Sequence, residues 1–233
     1  VSRPIAQRLD PDMLLRAYAS GIFPMAERAD SADVFWVEPR RRGVLPLAGF
    51  HLPRSLAKTL KQERFRFTVD RAFADVLAGC AAPTPGRSET WINPLIAEAY
   101  LALHRRGQAH SIEAWDHAGQ LAGGLYGVRL GAAFFGESMF TRVRDASKCS
   151  LAALVARLRA GGFTLLDTQF LTRHLAGFGA IEISAKDYRG LLAAAVSASA
   201  DFFAVDSAGE AEGTGRGEGP SGKRIVQLLS QTS

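Results

Sequence analysis

Between Ala109 and Phe140 three apolar segments, "AHSIEAWD", "QLAGGLYGVRL" and "AAFFGESMF", follow one another with only the turn signals "DHAG" and "RLG" between them. A parallel pairing needs a crossover of about a dozen residues. Connections this short allow only hairpins, so the three segments must form an antiparallel meander, and the rest of the chain has to be arranged around it. The third strand carries Glu137 in a run otherwise fit for burial. A buried carboxylate without a partner is costly, or shifts its pKa until it is neutral. A cation, or a ligand bearing one, is the first thing to seek.

Helical patterns flank the meander. In "LDPDMLLRAYASGIFPM" Asp10 is placed to cap a helix with Pro11 at its first position, and Gly21 ends it. "DVFWVEPRRRGVLPL" reads as a short strand interrupted by prolines, so the first forty-five or so residues form a small unit that leans on the rest. A short helix around Ser55 to Gln62 leads into "RFRFTVD", a half-buried strand, after which Asp70 could cap a helix running to Cys80. "AAPTPGRSETWINP" is a loop carrying Trp91, and Asn93 with Pro94 starts a helix that Gly107 ends. After the meander, "ASKCSLAALVARLRA" is helical, "FTLLDTQF" is a strand, and helix, strand and helix follow in "LTRHLAGFG", "IEIS" and "AKDYRGLLAAAVSA". The stretch "SAGEAEGTGRGEGPSG" has no large apolar residue and reads as a flexible tail, with "KRIVQLL" as a segment able to dock. The expected class is mixed α/β.

The composition, 47% hydrophobic over 233 residues, suits an ordinary core. Cys80 and Cys149 lie far apart among small apolar residues and read as buried thiols, which fits a reducing, cytoplasmic setting. No run reaches the roughly 18 apolar residues of a membrane span, and the N-terminal stretch lacks the apolar segment of a signal peptide. The net charge of +5 is concentrated in Arg40 to Arg42, Arg54, Lys58, Lys61, Arg64 and Arg66, with Arg105 and Arg106 beyond, a pattern that permits polyanion binding.

A second strand also has a central acid, Asp167, with Gln169 two residues on and therefore on the same face of a regular strand. Were the two strands close, Glu137, Asp167 and Gln169 would line one cavity walled by Phe134, Met139 and Leu166. Periodicity alone equally allows unrelated polar residues at strand ends. No His, Cys or acid pair has metal-ligand spacing, and no P-loop or G-x-S-x-G pattern occurs. His104, His110 and His174 sit near element ends and read as structural. "GGLYG" marks a bend or a close approach of backbones.

The ordered segments "GIFPM", "FW-x-x-P-R", "TWI", "AHSIEAW", "GGLYGV", "FFGESMF", "ASK" and "LLDTQFLTRHLAGFGA" together resemble the leucyl/phenylalanyl-tRNA protein transferase family, from about Leu14 to Phe202. The resemblance implies a small N-terminal domain, taken as residues 1–46, a GNAT-like aminoacyltransferase domain with a mostly antiparallel sheet, 47–205, and a Gly-rich tail, 206–233. It implies a cytoplasmic, monomeric enzyme that needs no cofactor or metal and no membrane. Such an enzyme moves Leu, Phe or Met from aminoacyl-tRNA to the N-terminal α-amine of proteins beginning with Arg or Lys, marking them for degradation.

Residue by residue, the resemblance makes Glu137 the acid that orients the incoming amine, and Asp167 the group that polarises the amide of Gln169, whose oxygen then accepts from that amine. Leu125, Phe134, Met139, Leu151, Leu154 and Leu166 match the family's side-chain pocket, and Trp91 matches a tryptophan that stacks on the terminal adenosine of the tRNA. A second tryptophan of the family is replaced by Met25, so Phe23 or Trp36 would have to compensate or the adenosine is held more loosely. The basic run from Arg40 to Arg66 becomes the contact to the tRNA backbone. Transfer to acidic N-termini, an acyl-CoA-dependent acyltransferase and a non-catalytic RNA-binding protein are the rival readings. The second needs a glycine-rich pyrophosphate turn, for which "RAGGFT" is a poor match, and the third leaves Glu137, Asp167 and Gln169 without a task.

Overall fold

The hairpin connections after Trp115 and Leu130 make the centre of the chain a meander of β5 (Ala109–Trp115), β6 (Leu121–Leu130) and β7 (Ala133–Thr141). The computed structural model describes residues 9–83, 89–206 and 217–231. Four further strands complete a seven-stranded sheet: β3 (Arg41–Val44), β4 (Arg66–Val69), β8 (Leu165–Gln169) and β9 (Ile181–Ser184), in the order β4-β5-β6-β7-β8-β3-β9. All its pairings are antiparallel except that of β7 with β8. A separate two-stranded sheet pairs β1 (Phe23–Met25) with β2 (Phe35–Val37).

The N-terminal stretch is thus divided differently from the single strand expected. Pro39 separates β2 from β3, and β3 belongs to the main sheet, so the small N-terminal unit is joined to the core by strand hydrogen bonds. Strands alternate their side chains between two faces, and each face buries its own cluster. One face holds α2 (Arg54–Lys61) and α5 (Ala146–Ala160). The other holds α1 (Pro11–Ala19), α3 (Phe73–Ala81), α4 (Pro94–Arg105) and α7 (Ala185–Ser197). Asp10 caps α1 by accepting from the Asp12 amide at 3.2 Å, and Asn93 caps α4 by accepting from the Ile96 amide at 2.9 Å.

Asp70 does not cap α3. Its backbone turns left-handed (φ 60°), and its carboxylate accepts from the Ser111 amide at 2.9 Å and meets His110 Nδ1 at 2.7 Å, tying the end of β4 to β5. Both cysteines are buried, and neither forms a disulfide. The glycines of "GGLYG" do mark close approach: a Cβ on Gly127 would lie 2.2 Å from the Phe135 carbonyl oxygen. Gly161 and Gly162 end α5 rather than open a helix, so they build no pyrophosphate cradle at a helix N-terminus.

The expected flexible tail falls partly on residues 207–216, outside the described residues. From Gly217 to Gln231 it is built into the fold. Glu218 bridges to Thr68 and binds Arg66 and Arg71, and α8 (Gly222–Ser230) lays Ile225 and Val226 into the cluster under α2 and α5. Phe202 is fully buried, stacked on Phe134 (5.5 Å) and His110 (4.2 Å), with Arg157 over its face. Phe202→Ala should therefore lower the unfolding free energy by about 3–5 kcal/mol, measured by urea titration; a loss below about 1 kcal/mol would show this aromatic junction to be dispensable.

Candidate active site

β7 and β8 pair only from Ala133 to Phe135 and from Leu165 to Asp167. Beyond that they part, and a cavity of about 370 Å³ occupies the gap, with Glu137 and Met139 from β7 and Thr168 and Gln169 from β8 in its wall. Two local irregularities aim these side chains. The β6–β7 register passes from Tyr126 opposite Ser138 to Gly127 opposite Gly136, which leaves Glu137 as the extra residue of a β-bulge. Gln169 adopts a left-handed backbone (φ 57°), uncommon for a residue with a Cβ and typical of strain held at a functional position. The kink is possible because Gly43 faces it: a Cβ there would sit 2.5 Å from the Phe170 carbonyl carbon.

Glu137 is only partly covered, yet its carboxylate is held on both oxygens. Tyr100 donates to Oε2 at 2.7 Å and is itself paired with the Tyr18 hydroxyl at 2.6 Å, while the Gln169 amide donates to Oε1 at 3.1 Å. Burial raises its pKa to about 7; the tyrosine hydrogen bonds oppose that shift, and the Asp167 charge adds to it. Burial, followed by the charge of Glu137, pushes Tyr100 well above its ordinary value, so it remains a donor at neutral pH. Tyr18 is raised in the same way.

Asp167 is fully buried beneath the cavity and outside its wall. Arg42 Nε donates to Oδ1 at 2.9 Å and Nη2 to Oδ2 at 2.6 Å, the Tyr188 hydroxyl donates to Oδ2 at 2.5 Å, and the Gln169 main-chain N–H donates to Oδ1 at 2.8 Å. The expected contact of aspartate with the glutamine side-chain amide is thus made through the main chain, because the kink at Gln169 turns its amide group toward Glu137. Burial works against the charge of Arg42, but the hydrogen bonds and charge of Asp167 outweigh it and raise the Arg42 pKa. Arg42 also donates to the Gly21 carbonyl at 2.9 Å and lies 4.6 Å from the ring centres of both Phe23 and Tyr188.

The expected site residues converge, with two displaced. Leu125, Met139, Leu151, Leu154, Leu166, Trp91 and Met25 all line the cavity with Glu137 and Gln169. Phe134 does not: it points to the core beneath, under Phe163 and Phe202. Phe23 is in the wall, whereas Trp36 lies on β2, 40% exposed. Arg42 leaves the basic run altogether, since as a buried ion it cannot meet a polyanion; Arg41 pairs with Glu182 and Arg66 with Glu218. Arg42, Tyr18, Tyr100 and Tyr188 were missed as site residues. Tyrosines at apolar helical positions are the one sequence signal that pointed there, since a buried hydroxyl needs a partner. His174 also lines the cavity, its pKa lowered by burial and then by Lys148.

Arg42→Ala would leave the Asp167 carboxylate buried without its counter-charge, and unfolding in urea should show a loss of about 3–5 kcal/mol. A cost near zero would mean that water or a shifted proton replaces the pair. Among the described residues no group of three His, Cys, Asp or Glu is placed to hold a metal ion. Among the same described residues, no helix is long and apolar enough to cross a membrane.

Comparison with known proteins adds an independent line. The family model described as leucyl/phenylalanyl-tRNA protein transferase matches residues 44–193, and the model of that family's N-terminal domain matches residues 7–40. A leucyl/phenylalanyl-tRNA protein transferase of Rhizorhabdus wittichii is 56% identical over 246 aligned residues, covering 97% of this chain and 99% of the relative. Those of Nitrobacter winogradskyi (60% identical; 86% and 88% covered) and Ruegeria pomeroyi (55%; 97% and 99%) are similarly close.

Proposed function

The chain belongs to the leucyl/phenylalanyl-tRNA protein transferase family and is an aminoacyltransferase, and on that premise we propose how its cavity carries out the transfer and on which acceptors. The observation that carries the reading is Glu137: a carboxylate with a pKa of about 7, held on a bulge in an apolar wall. The acceptor's α-ammonium, ordinarily near pKa 7.7–8.0, is drawn to it and gives up a proton. The neutral amine then attacks the ester carbonyl carbon of the aminoacyl group. A C–N bond forms, the bond to the ribose oxygen breaks, and the second amine proton goes to that oxygen.

Gln169 Oε1 accepts from the attacking amine, while its amide nitrogen stays on Glu137. Asp167 acts through the Gln169 main chain, holding it in the strained conformation that reaches the amine. Leu125, Met139, Leu151, Leu154 and Leu166 take the donor's apolar side chain. A pocket of this kind discriminates by about 1–3 kcal/mol per methylene, so Leu, Phe and Met all serve as donors. Trp91, with Met25 and Phe23 near it, receives the terminal adenosine. Arg40, Arg54, Lys58, Lys61 and Arg64, all exposed, remain of the basic run to meet the tRNA backbone.

Proteins beginning with Arg or Lys are the acceptors in this reading, which places the enzyme in the cytoplasm as a monomer feeding N-terminal degradation signals. A GNAT-like core is part of the same proposal. Its support is the order of the meander, α5 and then β8 parallel to β7. The division into a small domain to residue 46, a main domain to 205 and a tail is likewise proposed, supported by the N-terminal match to 7–40.

The test is transfer of labelled leucine from leucyl-tRNA to peptides beginning with Arg, Lys, Asp or Ala. Labelling of the Arg and Lys peptides alone is expected; labelling of Asp would keep the reaction and overturn the acceptor. Glu137→Ala and Asp167→Ala should each cut transfer at least a hundredfold, in line with loss of a positioned acid-base group, and full activity in both would remove this assignment. Trp91→Ala should weaken the apparent affinity for donor tRNA, not the rate at saturation. Because the ionised form of Glu137 accepts the proton, the rate should rise with pH and level off above about 7, a limb absent in Glu137→Gln. Stability runs the other way. The raised folded-state pKa means the unfolded chain ionises first, so the wild type loses stability relative to Glu137→Gln as pH rises from about 4.5 to 7.

A further inference from the structure

We infer that the C-terminal helix α8 is part of the surface that holds the body of the donor tRNA, with Lys223 and Arg224 contacting phosphates beside α2. The inference rests on the proposed use of an aminoacyl-tRNA donor, and it extends the contact to a segment outside both matched regions of the chain. Its first support is how α8 is docked. Glu63, just past α2, accepts from the Gly222 amide at 3.0 Å and the Lys223 amide at 3.1 Å, so a carboxylate caps the positive end of α8. Gly222 lies against the Leu60 backbone, where a Cβ would come within 2.1 Å of its carbonyl oxygen. Ile225 is fully buried. The helix start, with its two cations, is therefore fixed next to Lys61 and Arg64.

The second support is a basic track from the cavity to this point. His174 lines the cavity, and Lys148 is near enough to lower its pKa after the larger effect of burial. Burial pushes the neighbouring Cys149 thiol up to about 12, with Arg64 and Lys148 both acting in the opposite direction. Arg64 in turn follows Glu63. Lys148 on α5, Lys58 and Lys61 on α2 and Lys223 and Arg224 on α8 thus mark out a path over three helices packed against one another, with Arg64 just past α2.

The third support is how the carboxylates along the path are engaged. Glu63 is taken by the α8 amides, Asp145 by Lys148 at 2.9 Å, and Glu218 by Arg66 and Arg71 at 3.1 and 3.0 Å. Lys58, Lys61, Arg64 and Lys223 are exposed with no carboxylate partner among the described residues; Arg224 is half-buried, and its guanidinium donates to the neutral Gln227 Oε1 at 2.8 Å. A row of solvated cations continuous with a site for the 3′ end of a nucleic acid fits a phosphate backbone, recognised by charge and spacing rather than by base.

The test is tRNA binding as a function of salt for the full chain, for the double variant Lys223→Ala with Arg224→Ala, and for a control, Arg105→Ala with Lys186→Ala, which removes the same charge from helices on the other face of the sheet. Leucyl transfer from a minimal aminoacyl-adenosine donor, too short to reach α8, is measured alongside. The α8 variant should bind tRNA roughly tenfold more weakly, its log K against log salt slope should be shallower by about 1.4 to 1.8, and its minimal-donor rate should stay at the parent value. Equal weakening in the control, or unchanged affinity and slope in the α8 variant, would overturn the inference. A parent that uses the minimal donor but binds no tRNA overturns it too, leaving the chemistry standing. A parent that uses neither donor overturns the proposed function and this surface together.

Discussion

The buried pair of Arg42 and Asp167 is the interaction on which the rest of the site depends. Four donors converge on one carboxylate: two guanidinium nitrogens, the Tyr188 hydroxyl and the Gln169 main-chain N–H. They come from β3, α7 and β8, elements far apart in the chain. The same guanidinium binds the Gly21 carbonyl and lies against Phe23, so the N-terminal unit that lends Met25 and Phe23 to the cavity is held by that cluster as well. A buried ion pair of this kind adds little net stability, but breaking it is expensive. Its effect is to join the sheet, the N-terminal unit and Gln169 into one arrangement.

What the pair holds in place is a local departure from regular strand geometry. The sheet could have continued β7 and β8 in register; instead they separate after Phe135 and Asp167, and the chain uses a bulge at Glu137 and a left-handed residue at Gln169 to turn two polar side chains into the opening. Each irregularity is disfavoured alone. Together with Gly43 and Gly127, where a side chain would strike backbone, they are mutually compatible. The cavity that results is apolar except where Glu137, Gln169, His174 and a few hydroxyls face it, so a charge placed there is felt strongly. That is the condition under which a carboxylate titrates near neutral pH.

Much of this was legible in the sequence because it rests on periodicity. The meander and the helix caps at Asp10 and Asn93 follow from connection length, alternation and capping chemistry, whereas Leu125, Leu151 and Leu154 are placed in the pocket by the family resemblance. Phe134 is an apolar neighbour of Glu137 in sequence and a match to the family's pocket, but Phe202, far along the chain, covers it and keeps it in the core. Arg42 was read as one of three like neighbours. Strand alternation buries it while Arg41 stays in solvent, but nothing local distinguished the two until β3 was known to be an interior strand. The bulge and the left-handed glutamine were invisible for a related reason: both are imposed by partner strands. The docking of α8 had a local signal in "KRIVQLL", whose apolar spacing outweighed the composition of the stretch before it.

The central claim is that the Arg42–Asp167 cluster positions Gln169 so that Glu137 is a near-neutral proton acceptor in an apolar wall. Its most direct test is the titration of the Glu137 carboxyl by NMR in isotope-labelled protein, identified by its loss in Glu137→Gln and compared with Asp167→Asn. The account predicts a midpoint of about 7 in the wild type and a lower one in Asp167→Asn, where a neighbouring negative charge is gone. A midpoint near the ordinary 4.5 in the wild type, or one unmoved by the change at Asp167, would contradict it.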